Sequence, residues 1–169
     1  EDLNTNDANT SEIIDASAIT TLFGTAAAAN TAYQSSGISG LGNESVTLSD
    51  TSLASSVLNT LDGNTTGAVN AATVTTLTGT ATTANTAYQS SGISGLGNEA
   101  VIITDTTVAA SVLNTLNSNT TGLVTATSVV TLTGTAAAIN TLVGNEGDSG
   151  DKVNLDSDYV ATLTDTTIT

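Results

Sequence analysis

Five oxygen-bearing side chains crowd one short stretch, GDSGDKVNLDSDY at 147–159: Asp148, Asp151, Asn154, Asp156 and Asp158. Hard oxygen donors packed closely and interleaved with glycine are what calcium needs. These five residues are therefore the candidate metal ligands, and calcium is the expected cofactor. Their spacing matches no EF-hand loop and lacks the bidentate Glu that closes one. The competing reading is a solvated acidic loop.

Catalysis has little to draw on. The chain has no His and no Cys, and Lys152 is its one basic residue. Ser-His-Asp and Cys-His constellations are thereby excluded. A lone Lys152 in a polar loop, away from any apolar strand, is a poor candidate for an isopeptide crosslink. Paired carboxylates remain, and the acids that recur are Glu44 with Glu99 and Asp50 with Asp105. They fall at turns and helix starts, where a surface acid needs no further cause than the helix dipole. Asp50 and Asp105 lie two coils apart, about 10 Å at the spacing of paired strands, too far to share an ion. The sequence thus predicts no enzyme and no catalytic residue. Three Asn-x-Thr/Ser sequons start at Asn9, Asn64 and Asn119. They read as turn residues, with glycosylation as the alternative.

The charge narrows the partners. Sixteen acidic residues stand against one basic, for a net charge of -15. Nucleic-acid binding needs Lys and Arg to displace counterions, so it is excluded. Anionic membranes repel such a surface, whereas divalent cations suit it. No apolar run reaches the length of a membrane span, so no membrane insertion is expected. The start, EDLNTNDANT, has no signal-peptide character; in a secreted protein the export signal would lie outside this sequence. Aromatic residues make up 2% of the chain: Phe23, Tyr33, Tyr88 and Tyr159. A thin core, in which each layer buries only its neighbours, needs few large side chains.

The elements that must carry these residues are repeated. NTAYQSSGISGLGNE occurs at 30–44 and again, unchanged, at 85–99. Thr-Leu-Phe-Gly-Thr at 21–25 becomes Thr-Leu-Thr-Gly-Thr at 76–80 and 131–135, at equal offsets (76 − 21 = 131 − 76 = 55). Three tandem copies of this 55-residue unit, the third truncated, account for 1–146. An acidic insert loop follows at 147–159, and a further repeat begins at 160–169. Each unit divides in two, VTLSDTSLASSVLNTLDGNTTG (46–67) and VTTLTGTATTANTAYQSSGISG (74–95), each a short strand followed by a helix. In the first half Leu53, Val57, Leu58 and Leu61 share a helical face, with Asp50, Thr51 and Ser52 as N-cap candidates and Gly63 and Gly67 as stops. In the second half Ala81, Ala84, Ala87 and Tyr88 form the stripe, and Gly92 ends it. The ladder strand is either 68–71 or 74–77, or both on different faces.

The expected fold is an α/β, elongated repeat solenoid with parallel strands and short helices, leucine-rich-repeat-like. An all-β parallel β-helix is the alternative, since Thr and Val favour strands. Val46, Leu48, Leu53, Val57, Leu58, Leu61, Val69, Val74 and Leu77 should point inward, with their counterparts one repeat on. Leu3 aligns with Leu58 and Thr162–Asp165 with Thr47–Asp50, so the end of the chain leads nearly in phase into its start. This predicts a window from a longer array and head-to-tail self-association.

Units such as VTLSDTSLASSVLNTLDGNTTG and VTTLTGTA, in tandem and almost free of Lys and Arg, resemble the repeats of very large cell-surface or secreted proteins of marine picocyanobacteria. Similar repeats occur in other giant bacterial exoproteins, often beside calcium-binding RTX-type segments. The resemblance covers most of 1–146 and implies an extracellular or cell-surface, calcium-rich setting with a structural or adhesive role. It carries over no catalytic residue. Residues 147–159 depart from the pattern, and glycine-rich RTX nonapeptides are absent. The expected function is a non-enzymatic structural segment: spacer, coat or fibre. The alternatives are a calcium-dependent adhesin module and, more distantly, an ice-binding solenoid, for which the Thr-x-Thr rows vary too much from coil to coil.

Overall fold

Val46 and Leu48 alternate with Ser45 and Thr47, and this period of two makes a strand with one face turned inward. The same logic recurs along the chain. The computed structural model describes residues 2–144 and 153–167. In order, the elements are α1 (Leu3–Ala8), β1 (Ile14–Asp15), β2 (Thr21–Gly24), α2 (Ala26–Gln34), β3 (Ile38–Ser39), β4 (Ser45–Leu48), β5 (Ser52–Ala54) and α3 (Ser55–Asn64). Then come β6 (Val69–Asn70), β7 (Thr76–Gly79), α4 (Ala81–Gln89), β8 (Ile93–Ser94), β9 (Ala100–Ile103), β10 (Thr107–Ala109) and α5 (Ala110–Asn119). The last are β11 (Val124–Ala126), β12 (Thr131–Gly134), α6 (Ala136–Val143), β13 (Val153–Leu155) and β14 (Val160–Leu163). The protein is thus α/β, with parallel strands in sheets alternating with short helices, and the all-β alternative is set aside.

Every strand pairs in parallel with one in an adjacent layer of chain. Thr21 lies opposite Ser45, Ser52 opposite Thr76 and Thr76 opposite Ala100, all at the same offset in sequence. The helices follow suit: α2 packs on α3, α3 on α4, α4 on α5 and α5 on α6. Layers with two strands (β1, β2, then α2; β6, β7, then α4; β11, β12, then α6) alternate with layers of three (β3, β4, β5, then α3; β8, β9, β10, then α5). One of each makes the repeating unit. In a three-strand layer the first strand pairs only backward, the last only forward and the middle one both ways. The sheets are therefore stepped, in the orders β1-β3, β2-β4-β6-β8, β5-β7-β9-β11-β13 and β10-β12-β14.

The core runs between strands and helices. Leu53, Leu77, Val101, Val124 and Val153 stand in register across one sheet, all buried. Three-strand layers have the longer perimeter, and leucines fill them: Leu58 and Leu61 on α3, Leu113 and Leu116 on α5. Two-strand layers are filled by alanines, Ala81, Ala84 and Ala87 on α4. Of the expected inward set, all but Val57 are buried, and Val57 packs partly buried against them. The counterparts one repeat on behave alike: Val101, Ile103, Val108, Leu113, Leu116, Val124, Val129 and Leu132 are buried, and Val112 is partly so. The threonines serve the same stacking. Thr73 Oγ1 donates to the Leu48 carbonyl (2.9 Å) and Thr75 Oγ1 to that of Thr51 (3.0 Å), each one layer back.

Several local expectations need correction. Leu53 belongs to β5, because α3 begins only at Ser55. A layer holds two or three strands rather than one, and both 69–70 and 76–79 are strands, in different sheets. Gly63 lies inside α3, and Gly67 is no helix stop: a Cβ there would run into the Glu44 backbone carbonyl of the preceding layer. Val153–Leu155, within the stretch read as an insert loop, is a strand paired with β11. Among the described residues no helix is long and apolar enough to cross a membrane.

Candidate functional site

The acids expected on the surface are where sequence and structure part most sharply. Glu44 and Glu99 are fully buried, at 0% exposure. Glu44 closes the turn after β3, where Gly42 (φ +140°) takes a conformation that favours glycine. That turn aims two amides at one carboxylate oxygen: Oε2 accepts from Gly42 N (2.8 Å) and Asn43 N (3.2 Å). The Tyr33 hydroxyl, on α2 of the preceding layer, donates to the same oxygen at 3.0 Å. From the following layer, Thr65 Oγ1 donates to the Glu44 backbone carbonyl at 2.7 Å. One residue thus ties three successive stretches of the stack. The second unit repeats the clasp with Tyr88 (2.9 Å), Gly97 N (2.8 Å), Asn98 N (3.2 Å) and Thr120 (2.8 Å) around Glu99. The third unit has Val143 at the tyrosine position, and Glu146 lies outside the described residues.

The electrostatics are those of a carboxylate held by hydrogen-bond donors, with no cation beside it among the described residues. Burial pushes the Glu44 carboxyl up, but the amides of Gly42, Glu44 itself and Asn43, with the Tyr33 hydroxyl, hold it below its usual 4.5. Burial, reinforced by the nearby carboxylate, pushes the Tyr33 hydroxyl up to about 12 even though Thr65 opposes it. Tyr88 is raised for the same reasons. Oε1 of each glutamate is buried with no hydrogen-bond partner among the described residues. Through Tyr33 and Thr65 the Glu44 position is tied to the stretches of chain on either side of it, as Glu99 is through Tyr88 and Thr120.

Asp50 and Asp105 do cap helices, but not their own. Asp50 Oδ2 accepts from Ala26 N, the first amide of α2 in the preceding layer, at 2.8 Å. Asp105 does the same for Ala81 N of α4 (2.7 Å), and Asp165 for Ala136 N of α6 (2.6 Å). Those helices also carry their own N-caps, Thr25, Thr80 and Thr135. By contrast α3 and α5, whose starts follow Asp50 and Asp105, have no side-chain cap bond. Replacing Asp105 by alanine is expected to cost about 1 kcal/mol in urea denaturation. Amide exchange should quicken at Ala81, one layer away in sequence, and not at the start of α5.

Asparagines build a second ladder, helix to helix. Asn4, Asn30, Asn59, Asn85 and Asn114 each donate Nδ2 to a carbonyl of the next helix, those of Ala28 (2.9 Å), Val57 (3.0 Å), Thr83 (2.9 Å), Val112 (3.0 Å) and Ala138 (2.9 Å). The sequon residues Asn64 and Asn119 belong to it, donating to Asn30 Oδ1 and Asn85 Oδ1 at 2.9 Å. The unchanged segment NTAYQSSGISGLGNE now has a physical reason. Its Asn30, Tyr33, Ser35 and Glu44 all bond to other layers, Ser35 through its hydroxyl to Asp7 Oδ2 at 2.6 Å. Its Gly40 (φ +85°) passes against the Ser17 backbone, where a side chain has no room.

Of the candidate calcium ligands, Asp148 and Asp151 lie outside the described residues. Asn154 sits exposed in β13 opposite Thr125. Asp156 and Asp158 are outside the core in the following turn, where Asp156 Oδ1 accepts from Asp158 N (3.1 Å) and Asp158 Oδ1 from the Ser157 hydroxyl (3.3 Å). Among the described residues no three His, Cys, Asp or Glu side chains gather as a metal would need. The buried clasps were missed at the sequence level. Their one visible signal was that a tyrosine and a glutamate recur together, at the same separation, in both copies.

Comparison with known proteins found no matching family model, no matching curated protein and no matching solved structure.

Proposed function

We propose that this chain is a non-enzymatic structural segment, a leucine-rich-repeat-like solenoid that serves as spacer, coat or fibre in a large extracellular or cell-surface protein. The observation that carries the reading is the use made of its polar groups. Glu44, Glu99, Asp50, Asp105 and the ladder asparagines, the side chains with most chemical capacity, all spend it on bonds between successive layers. The resemblance of the units to giant exoprotein repeats supports the setting, and the net charge of -15 supports a role without nucleic acid. Paired strands repeat at about 4.8 Å and packed helices at about 8–10 Å, so a stack of such layers curves with its helices on the outer side.

Duplicating one repeat unit within the chain tests this directly. Each added unit contributes two layers, so small-angle scattering should show the longest dimension growing by about 10–20 Å per unit at constant cross-section. Stability should rise by a similar increment each time, as nearest-neighbour stacking requires. Dimensions that grow as a compact globule, with the cross-section widening, would refute the reading.

A further inference from the structure

Each clasp is built by the backbone and by neighbouring layers, and the glutamate side chain is what it holds. At the second clasp the amides of Gly97 (2.8 Å) and Asn98 (3.2 Å) donate to Glu99 Oε2, and the Tyr88 hydroxyl reaches the same oxygen from α4 (2.9 Å). Gly97 stands at φ +141°, a conformation that favours glycine. Successive amides turned inward in this way make a concavity for an anion, whatever that anion is attached to. The turn is fixed from the next layer. Thr121 N donates to the Gly97 carbonyl (2.8 Å) and Thr120 Oγ1 to the Glu99 carbonyl (2.8 Å). Tyr88 is carried on α4, which packs against α3 and α5. None of these supports runs through the glutamate side chain.

The enclosure sets the size of what fits. Glu99 is at 0% exposure, and its Oε1 is walled in with no hydrogen-bond partner among the described residues. Recognition therefore rests on the three donors at Oε2, and the remaining atoms are held by close packing. Cutting Glu99 back to alanine removes Cγ, Cδ and both carboxyl oxygens, which are the heavy atoms of acetate. Formate lacks the carbon that replaces Cγ, so the wall around it loses its contacts. Propionate carries one carbon too many for a closely packed site. Cutting back to glycine removes Cβ as well, and the vacated shape is then that of propionate.

From this geometry we infer that the clasp is a binding site for a small aliphatic monocarboxylate, occupied in the natural chain by its own glutamate and open to free acetate once Glu99 is cut back to alanine. The first unit offers the same site at Gly42, Asn43 and Tyr33. The inference does not rest on the spacer, coat or fibre role, since the array would carry the same clasp in any other use. A ligand that binds the folded chain alone stabilises it by mass action. The charge of -15 opposes the entry of any anion. At an ionic strength of about 1 M, where the screening length is about 3 Å, that opposition is small.

The test is urea denaturation of Glu99→Ala at neutral pH, with sodium chloride exchanged stepwise for sodium acetate at that constant ionic strength. For a dissociation constant of about 0.1 M, full exchange to about 1 M acetate raises the folding equilibrium constant about tenfold. Formate and propionate should each raise it less, and propionate should overtake acetate in Glu99→Gly. The natural chain and Leu113→Ala, whose cavity is apolar, give the response to acetate as a solvent, which Glu99→Ala must exceed. Adding Tyr88→Phe to Glu99→Ala removes one donor and should cut the gain severalfold. If Glu99→Ala is unfolded in chloride, binding is read instead as recovery of helical circular dichroism on adding acetate. A gain no larger than that of Leu113→Ala, propionate outranking acetate in the alanine variant, or an unfolded variant that acetate does not recover each overturns the inference.

Discussion

Glu99→Ala should destabilise the protein by about 3 kcal/mol or more, a cost out of scale with a turn residue. The carboxylate is fully buried, and its loss strands the Tyr88 hydroxyl and the amides of Gly97 and Asn98. Each buried donor left without a partner costs about 1–3 kcal/mol, partly offset because a desolvated charge is no longer present. Glu99→Gln keeps the shape and an acceptor and should lose less, about 1–2 kcal/mol. Tyr88→Phe should fall near the same value. Urea denaturation measures all three. If Glu99→Ala were no worse than an exposed substitution, the clasp would not be holding the layers.

The clasp also sets a pH signature. The Glu44 carboxyl is held below its usual 4.5 in the folded state. Its contribution is therefore complete above 4.5 and is lost as pH falls through the depressed folded value. The Tyr33 hydroxyl moves the other way, from 10.0 to about 12. Between those values the unfolded chain has lost the proton that the folded chain keeps, so stability declines as pH rises across that window. Glu44→Gln should flatten the acid limb, and Tyr33→Phe the alkaline one.

Leu113→Ala is the second large effect expected, about 2–5 kcal/mol. Leu113 is at 0% exposure on α5, in a three-strand layer whose helix fills the interior with leucines. A layered array divides its stability between each layer and its immediate neighbours. The loss should therefore be local in native-state hydrogen exchange: protection falls in α4, α5 and α6 while β1–β3 and α2 keep theirs. Phe23→Ala is the contrast. Phe23 is the larger side chain but is 80% exposed, so its removal should stay within about 0.5 kcal/mol.

Much of the core was legible because hydrophobicity marks it residue by residue. Leu58 and Leu61 were found from helical spacing, Leu48, Val69 and Leu77 from short Val/Thr/Leu strand segments, and the repeat spacing carried them to the next unit. Helix termini were legible in part. The stripe at Ala81, Ala84 and Ala87 marked α4, but Leu53 read as helical when it is the inward residue of a strand. In a three-residue strand two periods fit equally well, and only the partner strand β7 decides between them.

What sequence alone determined was equivalence: residues one repeat apart do the same task. What it left open was adjacency, because the step from a strand to its neighbour is shorter than the repeat and does not divide it. Asp50 read as the cap of the helix after it, and in the folded chain it caps the helix before it, across a layer boundary. Glu44 read as a surface acid, since nothing local distinguishes a solvated turn glutamate from a buried one. Its burial is decided by Tyr33 and Thr65, which arrive from the layers on either side. Apolar burial leaves a mark in composition because it depends on one residue's own chemistry. A buried carboxylate depends on which donors stacking delivers to it, and only the tertiary structure specifies those.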